Sequence, residues 1–527
     1  MRSYQSHLQQ TSAANAAAVA RKPTFRSSAI FPVFHLKGVR TRIAFLGYWM
    51  IKRSIPEIHS VVTLRSIHGT VLCRTSERIT EAKAYRVEAE DLLAEAGMNT
   101  EAEFTGSLEI EFYSSRDLVY PYPAVVVQYY GPEFGTVVHT AQRVFNDAED
   151  RNANLESVVP EAGFNVYADE DREPFFAFVN GCDPVRGGRI AMKFYNSKRE
   201  TLECLIPLSQ LLPYETTVVH PDRHVDLQSF LDGKPGTAQI QFDVSWVFPR
   251  IIAGNVQRSR QGISVTHTYY DTSGSSGEED YWKDTPEGWV PASLYVPLSV
   301  SGDRYTNINF YPIYSPSELE IDVELYEEDG TLIGTLRNVH RIAPVYRGLH
   351  TLELKPLAAR LGADPNRTAG ANLVARTVRG SRLPARLKIG LDYGMGGHAL
   401  PCNICKTMDV ANPALENKKS SFHWAPVLAD QADAVVWLVN SAPIHPYVRK
   451  AEVTLTFYRE QDTAALTRTV ELQPNGIHAL RLSELAELRE FFGGRMGWYT
   501  CVSSNPHVKS YYLSESPSGI VGGDHDF

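Results

Sequence analysis

Val62-Thr63-Leu64, Met192-Lys193-Phe194, Val323-Glu324-Leu325 and Leu455-Thr456-Phe457 repeat one alternating pattern in a chain of 527 residues. Marked at Leu64, Phe194, Leu325 and Phe457, the copies recur at intervals of 130, 131 and 132 residues. Alternation of period two belongs to a strand with one buried face. A fixed interval belongs to internal duplication.

Three further anchors keep the same order around each copy. Val87/Ala89/Leu92, Val225/Leu227/Phe230, Leu352/Leu354/Leu357 and Leu480/Leu482/Leu485 step by two and then by three. That change of period predicts a strand running into a helical turn. Gly97, Gly233, Gly362 and Gly493 follow, placed where a helix C-terminus needs a left-handed residue. A second alternating strand comes next: Leu108/Ile110/Phe112, Ile240/Phe242/Val244, Leu387/Ile389/Leu391 and Trp498/Thr500/Val502. Three repeats then close on a tyrosine pair (Tyr129-Tyr130, Tyr269-Tyr270, Tyr511-Tyr512), and the third has Asp392-Tyr393.

Strands with one apolar face bury it by pairing two sheets. The expected fold is therefore all-β, with tandem antiparallel β-sandwich modules (Ig-like or jelly-roll-like), each carrying one short helical turn. The expected bounds are a basic, disordered tail over 1–34 and modules at 35–146, 170–282, 290–410 and 420–527. About 130 residues suffices for one two-layer core each. His68-Gly69 and Asp329-Gly330 sit where a type I′ hairpin turn is expected. That hairpin is shared by modules 1 and 3. Phe178-Val179-Asn180 and Leu438-Val439-Asn440 are shared by modules 2 and 4. The pattern favours a duplicated two-module unit over four equal copies.

Composition agrees with a folded chain: 43% hydrophobic, 21% charged, net charge −9. The charge is uneven. Residues 1–56 hold nine Lys or Arg and no carboxylate, leaving a body of net −18, 43 basic against 61 acidic residues. Such a body is a poor polyanion binder, so no nucleic-acid partner is expected. No run approaches the ~20 apolar residues of a membrane-spanning helix, the best being Ile43 to Ile51. With no signal-peptide pattern and only six cysteines, a cytoplasmic location is the default. Surface and organellar locations stay open, and residues 1–30 also read as a transit-like segment.

Few residues point to chemistry. His398, Cys402 and Cys405 supply three corners of a zinc tetrahedron in a loop between modules 3 and 4, without a fourth ligand nearby. His220, Asp222, His224 and Asp226 share one face if extended and form a second candidate metal site. Glycine-rich ends carry a histidine at His139, His398 and His525, read as loops or hinges. Glu109/Glu111 and Glu278/Glu279/Asp280 are acid pairs of the kind glycosidases use, with Glu109 and Glu111 expected to be solvating residues on a polar strand face. No nucleotide loop, HExxH or nucleophile elbow occurs. Tyrosines cluster at turns (Tyr120, Tyr122, Tyr311, Tyr314, Tyr281) and suit sugar rings or protein partners. These signs lean away from an enzyme. The reading is a structural or assembly scaffold, or a multivalent binder with glycans among its candidate ligands; protein partners or self-assembly are expected. The alternative is a metal-dependent, carbohydrate-active enzyme with its site in module 2 or at the module 3/4 junction.

Overall fold

The computed structural model describes residues 24–139, 142–153, 160–270, 281–282, 285–315, 317–379, 383–384, 387–430 and 433–527. In the first sandwich eight strands follow in order: Phe25–His35, Arg40–Leu46, Ile58–Ser66, Val71–Ile79, Ala84–Glu88, Phe104–Ser114, Val125–Gly131 and Phe134–Val138. One sheet takes the first, sixth, third and fourth; the other takes the fifth, second, seventh and eighth. Main strands drawn from 161–267, 292–407 and 421–525 repeat that order three times, all antiparallel. The second and third sandwiches add a short edge strand, Tyr269–Tyr270 and Asp409–Val410. Eight strands in two sheets is the jelly-roll count. The first two strands lie in different sheets, unlike the constant-type immunoglobulin arrangement.

Leu64, Phe194, Leu325 and Phe457 occupy one equivalent position on the third strand, facing Leu108, Ala238, Ala371 and Tyr499 on the sixth. All four are buried. The helical turn between the fifth and sixth strands recurs as Ala89–Glu95, Leu227–Leu231, Leu354–Leu361 and Ala486–Phe492. Gly97, Gly233, Gly362 and Gly493 then take φ of +71°, +72°, +77° and +57°, the left-handed region in which a side chain is strained.

Several expectations are corrected. Phe25–His35, placed in the tail, is a strand paired along its length with Phe104–Ser114; its alternation was hidden because both faces are buried. Glu161–Val166, placed in a linker, is the buried first strand of the second sandwich. The hairpins are not type I′. Only Gly69 and Gly330 take positive φ in them, +84° and +81°, and the ladder shifts just before each turn, as in a type I turn with a glycine bulge. Tyr129, Tyr393 and Tyr512 share the seventh strand, whereas Tyr269-Tyr270 lies beyond the eighth. Residues 1–23 and Glu278/Glu279/Asp280 lie outside the described residues.

The pairwise duplication is written in the contacts. The Gly69 hairpin docks on the second sandwich, Ile67 O accepting from Thr216 N at 2.8 Å. The Gly330 hairpin docks likewise on the fourth, Glu328 O accepting from Ile477 N at 3.0 Å. Asn196 O accepts from Leu349 N at 3.3 Å between sandwiches 2 and 3, and Arg459 O accepts from Ala84 N at 3.1 Å between 4 and 1. Inside the units, Tyr129 and Tyr393 donate to Pro32 O and Pro297 O, while Asn180 and Asn440 donate to Leu212 O and Leu472 O.

These contacts close a ring. The eighth strands, Phe134–Val138, Gly262–His267, Cys402–Thr407 and Val521–His525, each lie against two of the others in chain order, the last returning to the first. Val265 N donates to Thr136 Oγ1 at 3.2 Å, Ser264 Oγ to Pro401 O at 2.6 Å, and Cys402 Sγ to Gly523 O at 3.1 Å. Gly135 and Gly522 approach so closely that a Cβ on Gly522 would lie 1.9 Å from Gly135 O. The cores are not separate either. Buried apolar residues of the first and fourth sandwiches form one cluster, and one sheet of the fourth joins the core of the third.

Candidate functional site

Where the ring closes, strand ends from three sandwiches converge. His139 follows the first eighth strand, His267 ends the second, and Asp524 and His525 end the fourth. One ring nitrogen from each histidine and one Asp524 oxygen all lie within 4.8 Å of one another. The His139 ring centroid is 4.5 Å from that of His267 and 4.6 Å from that of His525. His139 Nδ1 is 2.6 Å from Asp524 Oδ2. His525 Nδ1 lies 2.8 Å from Asp526 O; a carbonyl there only accepts, so the proton sits on Nδ1 and Nε2 is left with its lone pair. His267, 3% exposed, has Nε2 buried without a hydrogen-bond partner, 3.8 Å from Asp524 Oδ1.

Burial governs the charges. It pushes His267 down to about 3, with the neighbouring His139 adding to the effect, and it carries His525 well below the ordinary histidine range. Burial also works to raise Asp524, but the His139 imidazole and its hydrogen bond outweigh it and hold the carboxyl below its usual range. The cluster thus sets a carboxylate beside two imidazoles, His267 and His525, that burial keeps neutral.

His139 and His525 also line a cavity of about 870 Å³ between the first and fourth sandwiches, with Phe248 and Arg250 contributed by the second. Its wall is aromatic: Tyr48 stacks on Trp424 at 4.9 Å, and Trp424 on Phe527 at 5.9 Å. Lys52 Nζ sits 4.3 Å above the Trp424 ring. Tyr120 and Tyr122 stack at 5.6 Å and are 52% and 59% exposed.

No family model matches the chain, and no curated protein matches it. Among solved structures, a β-glucuronidase of Bacteroides uniformis aligns at 9% identity over 45% of this chain and 26% of its own, with a TM-score of 0.13. A tetra-tandem repeat from the extending region of a large adhesion protein aligns at 10% identity over 89% of this chain and 91% of its own, with a TM-score of 0.09. The chain spans about a quarter of the glucuronidase.

The sequence-derived candidates fare unevenly. His398, Cys402 and Cys405 are not brought together. The cysteines lie in a strand, not a loop, and a three-residue step there puts their side chains on opposite faces. Cys402 Sγ meets Gly523 O, Cys405 Sγ packs against Gly163, and His398 turns to Asp171 at 3.2 Å. Burial pushes both thiols well up, so they stay neutral. The His220–Asp226 segment is not extended either. Pro221–Arg223 is a 3-10 turn, Asp226 caps the next helix through Ser229 N, and His224 is exposed. His220 and Asp222 do meet Glu173, but Arg223 and Arg258 already occupy both Glu173 oxygens. That group is an ion-pair network. Glu109 and Glu111, expected to face solvent, are buried against Arg26, with Arg65 also on Glu109. The second sandwich covers them, Tyr214 lying under Arg65 at 4.1 Å.

His139 and His525 are legible in the sequence as glycine-associated histidines. His267 is not, because its glycine, Gly262, precedes the tyrosine pair instead of following it.

Proposed function

We propose that the protein is a binding protein whose closed frame of four sandwiches presents one ligand cleft, walled by the first, second and fourth, and that the ligand is an acidic saccharide. The observation that carries this is the 870 Å³ cavity, well within the size of small-molecule sites. Flat faces such as Trp424 and the Tyr120/Tyr122 pair suit the apolar faces of sugar rings. Lys52 and Arg53 line the same cavity, and neither has a carboxylate partner among the described residues. Two uncompensated cations beside an aromatic wall favour a carboxylate-bearing sugar over a neutral one. This replaces several repeated binding surfaces by a single cleft, because the eighth strands that would present repeated loops are turned inward to each other.

Calorimetry with a galacturonic acid trimer and a galactose trimer tests the reading. The acidic trimer should bind, and the neutral one at least 10-fold more weakly. Lys52→Met should abolish the difference, and the exposed Tyr120→Ala/Tyr122→Ala pair should weaken both. Equal binding of the two sugars, or no binding of either, would overturn the proposal.

A further inference from the structure

We infer that His139, His267, Asp524 and His525 hold one zinc-class transition-metal ion that joins the first, second and fourth sandwiches at the centre of the ring. The inference is independent of the sugar reading. Imidazole nitrogens with one carboxylate oxygen are the donor set of zinc and its neighbours, not of calcium or magnesium. Bonds of about 2.0–2.1 Å place tetrahedral ligands roughly 3.3 Å apart, so donor atoms already within 4.8 Å need shifts of only ~1 Å to close.

Two features point to a built site. His267 Nε2 is a buried nitrogen aimed at the cluster with nothing bound to it, a costly state unless a partner fills it. The His525 ring is held by Asp526 O at Nδ1, the kind of outer contact that orients a metal-binding histidine and leaves Nε2 free to coordinate. Four protein donors leave no open position, which makes the site structural. Its work is to clamp strand ends that lie 385 residues apart in sequence, at His139 and Asp524. The same donor atoms come from three sandwiches, so the ion binds only the closed ring and stabilises it by linkage.

Cobalt(II) titration of chelator-treated full-length protein is the direct test. One equivalent should bind and give the intense visible bands of a tetrahedral site, and zinc should displace them. Zinc should also raise the unfolding temperature. His525→Gln and, in a half-buried position chosen to spare the fold, His139→Asn should each weaken cobalt binding at least 100-fold. His398→Gln and His220→Gln should leave it unchanged. Absence of any stoichiometric cobalt spectrum in the wild type would overturn the inference. So would a spectrum that survives His525→Gln and His139→Asn, or one lost in His220→Gln instead.

Discussion

Gly522→Ala puts the ring closure under the sharpest strain. The added Cβ would stand 1.9 Å from Gly135 O and 2.8 Å from Thr136 Cα. Those neighbours are backbone atoms of a buried strand, so no side chain can swing away. Ordinary contact needs an opening of roughly 1.5 Å, and overpacking of this kind costs about 1–3 kcal/mol. With two rigid strands in opposition, we expect the upper end, about 3 kcal/mol. Gly397→Ala is the control: that glycine is exposed and its Cβ would meet nothing within 4 Å. The assay is urea unfolding of both variants, read as a midpoint shift at constant slope. If Gly522→Ala unfolds within about 0.5 kcal/mol of Gly397→Ala, the ordinary range for surface changes, the first and fourth sandwiches do not meet as described.

Other outcomes follow from burial and charge. A chain beginning at Phe31 loses the pairing of Phe25–Ile30 with Glu109–Ser114 and the Arg26 bonds to Glu109 and Glu111; it should unfold at markedly lower temperature or aggregate, and full stability would contradict the first strand. Thiol labelling of the native protein should find Cys182 fast and Cys204 slower, with Cys73, Cys402, Cys405 and Cys501 protected; rapid reaction at Cys402 or Cys405 would contradict their burial. Burial raises Asp392 from 3.8 to about 6, against the hydrogen bonds that Asn403 and Asn165 donate to it. A carboxyl raised in the native state disfavours folding once ionised, so this penalty is absent below its unfolded value and fully present above about 6. Asp392→Asn should therefore gain about 3 kcal/mol relative to wild type between about pH 3 and about pH 7. A pH-independent difference in paired unfolding curves would refute that.

The sandwich repeat was legible because its signal is local. Half-buried third strands such as Ala451–Tyr458 alternate strictly between buried and at least partly exposed positions, and the capping glycines obey backbone sterics that no tertiary context alters. Strands buried on both faces lose that alternation, which is why Phe25–His35 read as tail and Glu161–Val166 as linker. Site residues were legible only where chain neighbours bring ligands together. His398, Cys402 and Cys405 are close in sequence, yet strand alternation and packing divide them. His139, His267 and Asp524 are separated by 128 and 257 residues, and only closure of the ring makes them neighbours. Glu109 and Glu111 show the same limit: a polar face on one sandwich becomes interior when the next sandwich covers it.

Closure of the four sandwiches through their eighth strands is the central claim, and small-angle X-ray scattering tests it most directly. A compact body of this length has a radius of gyration of about 24 Å, and four sandwiches in an open string would give roughly twice that. The closed ring predicts a value near the lower figure, unchanged by dilution. A value near the higher one, with a scattering profile of beads on a line, would contradict it.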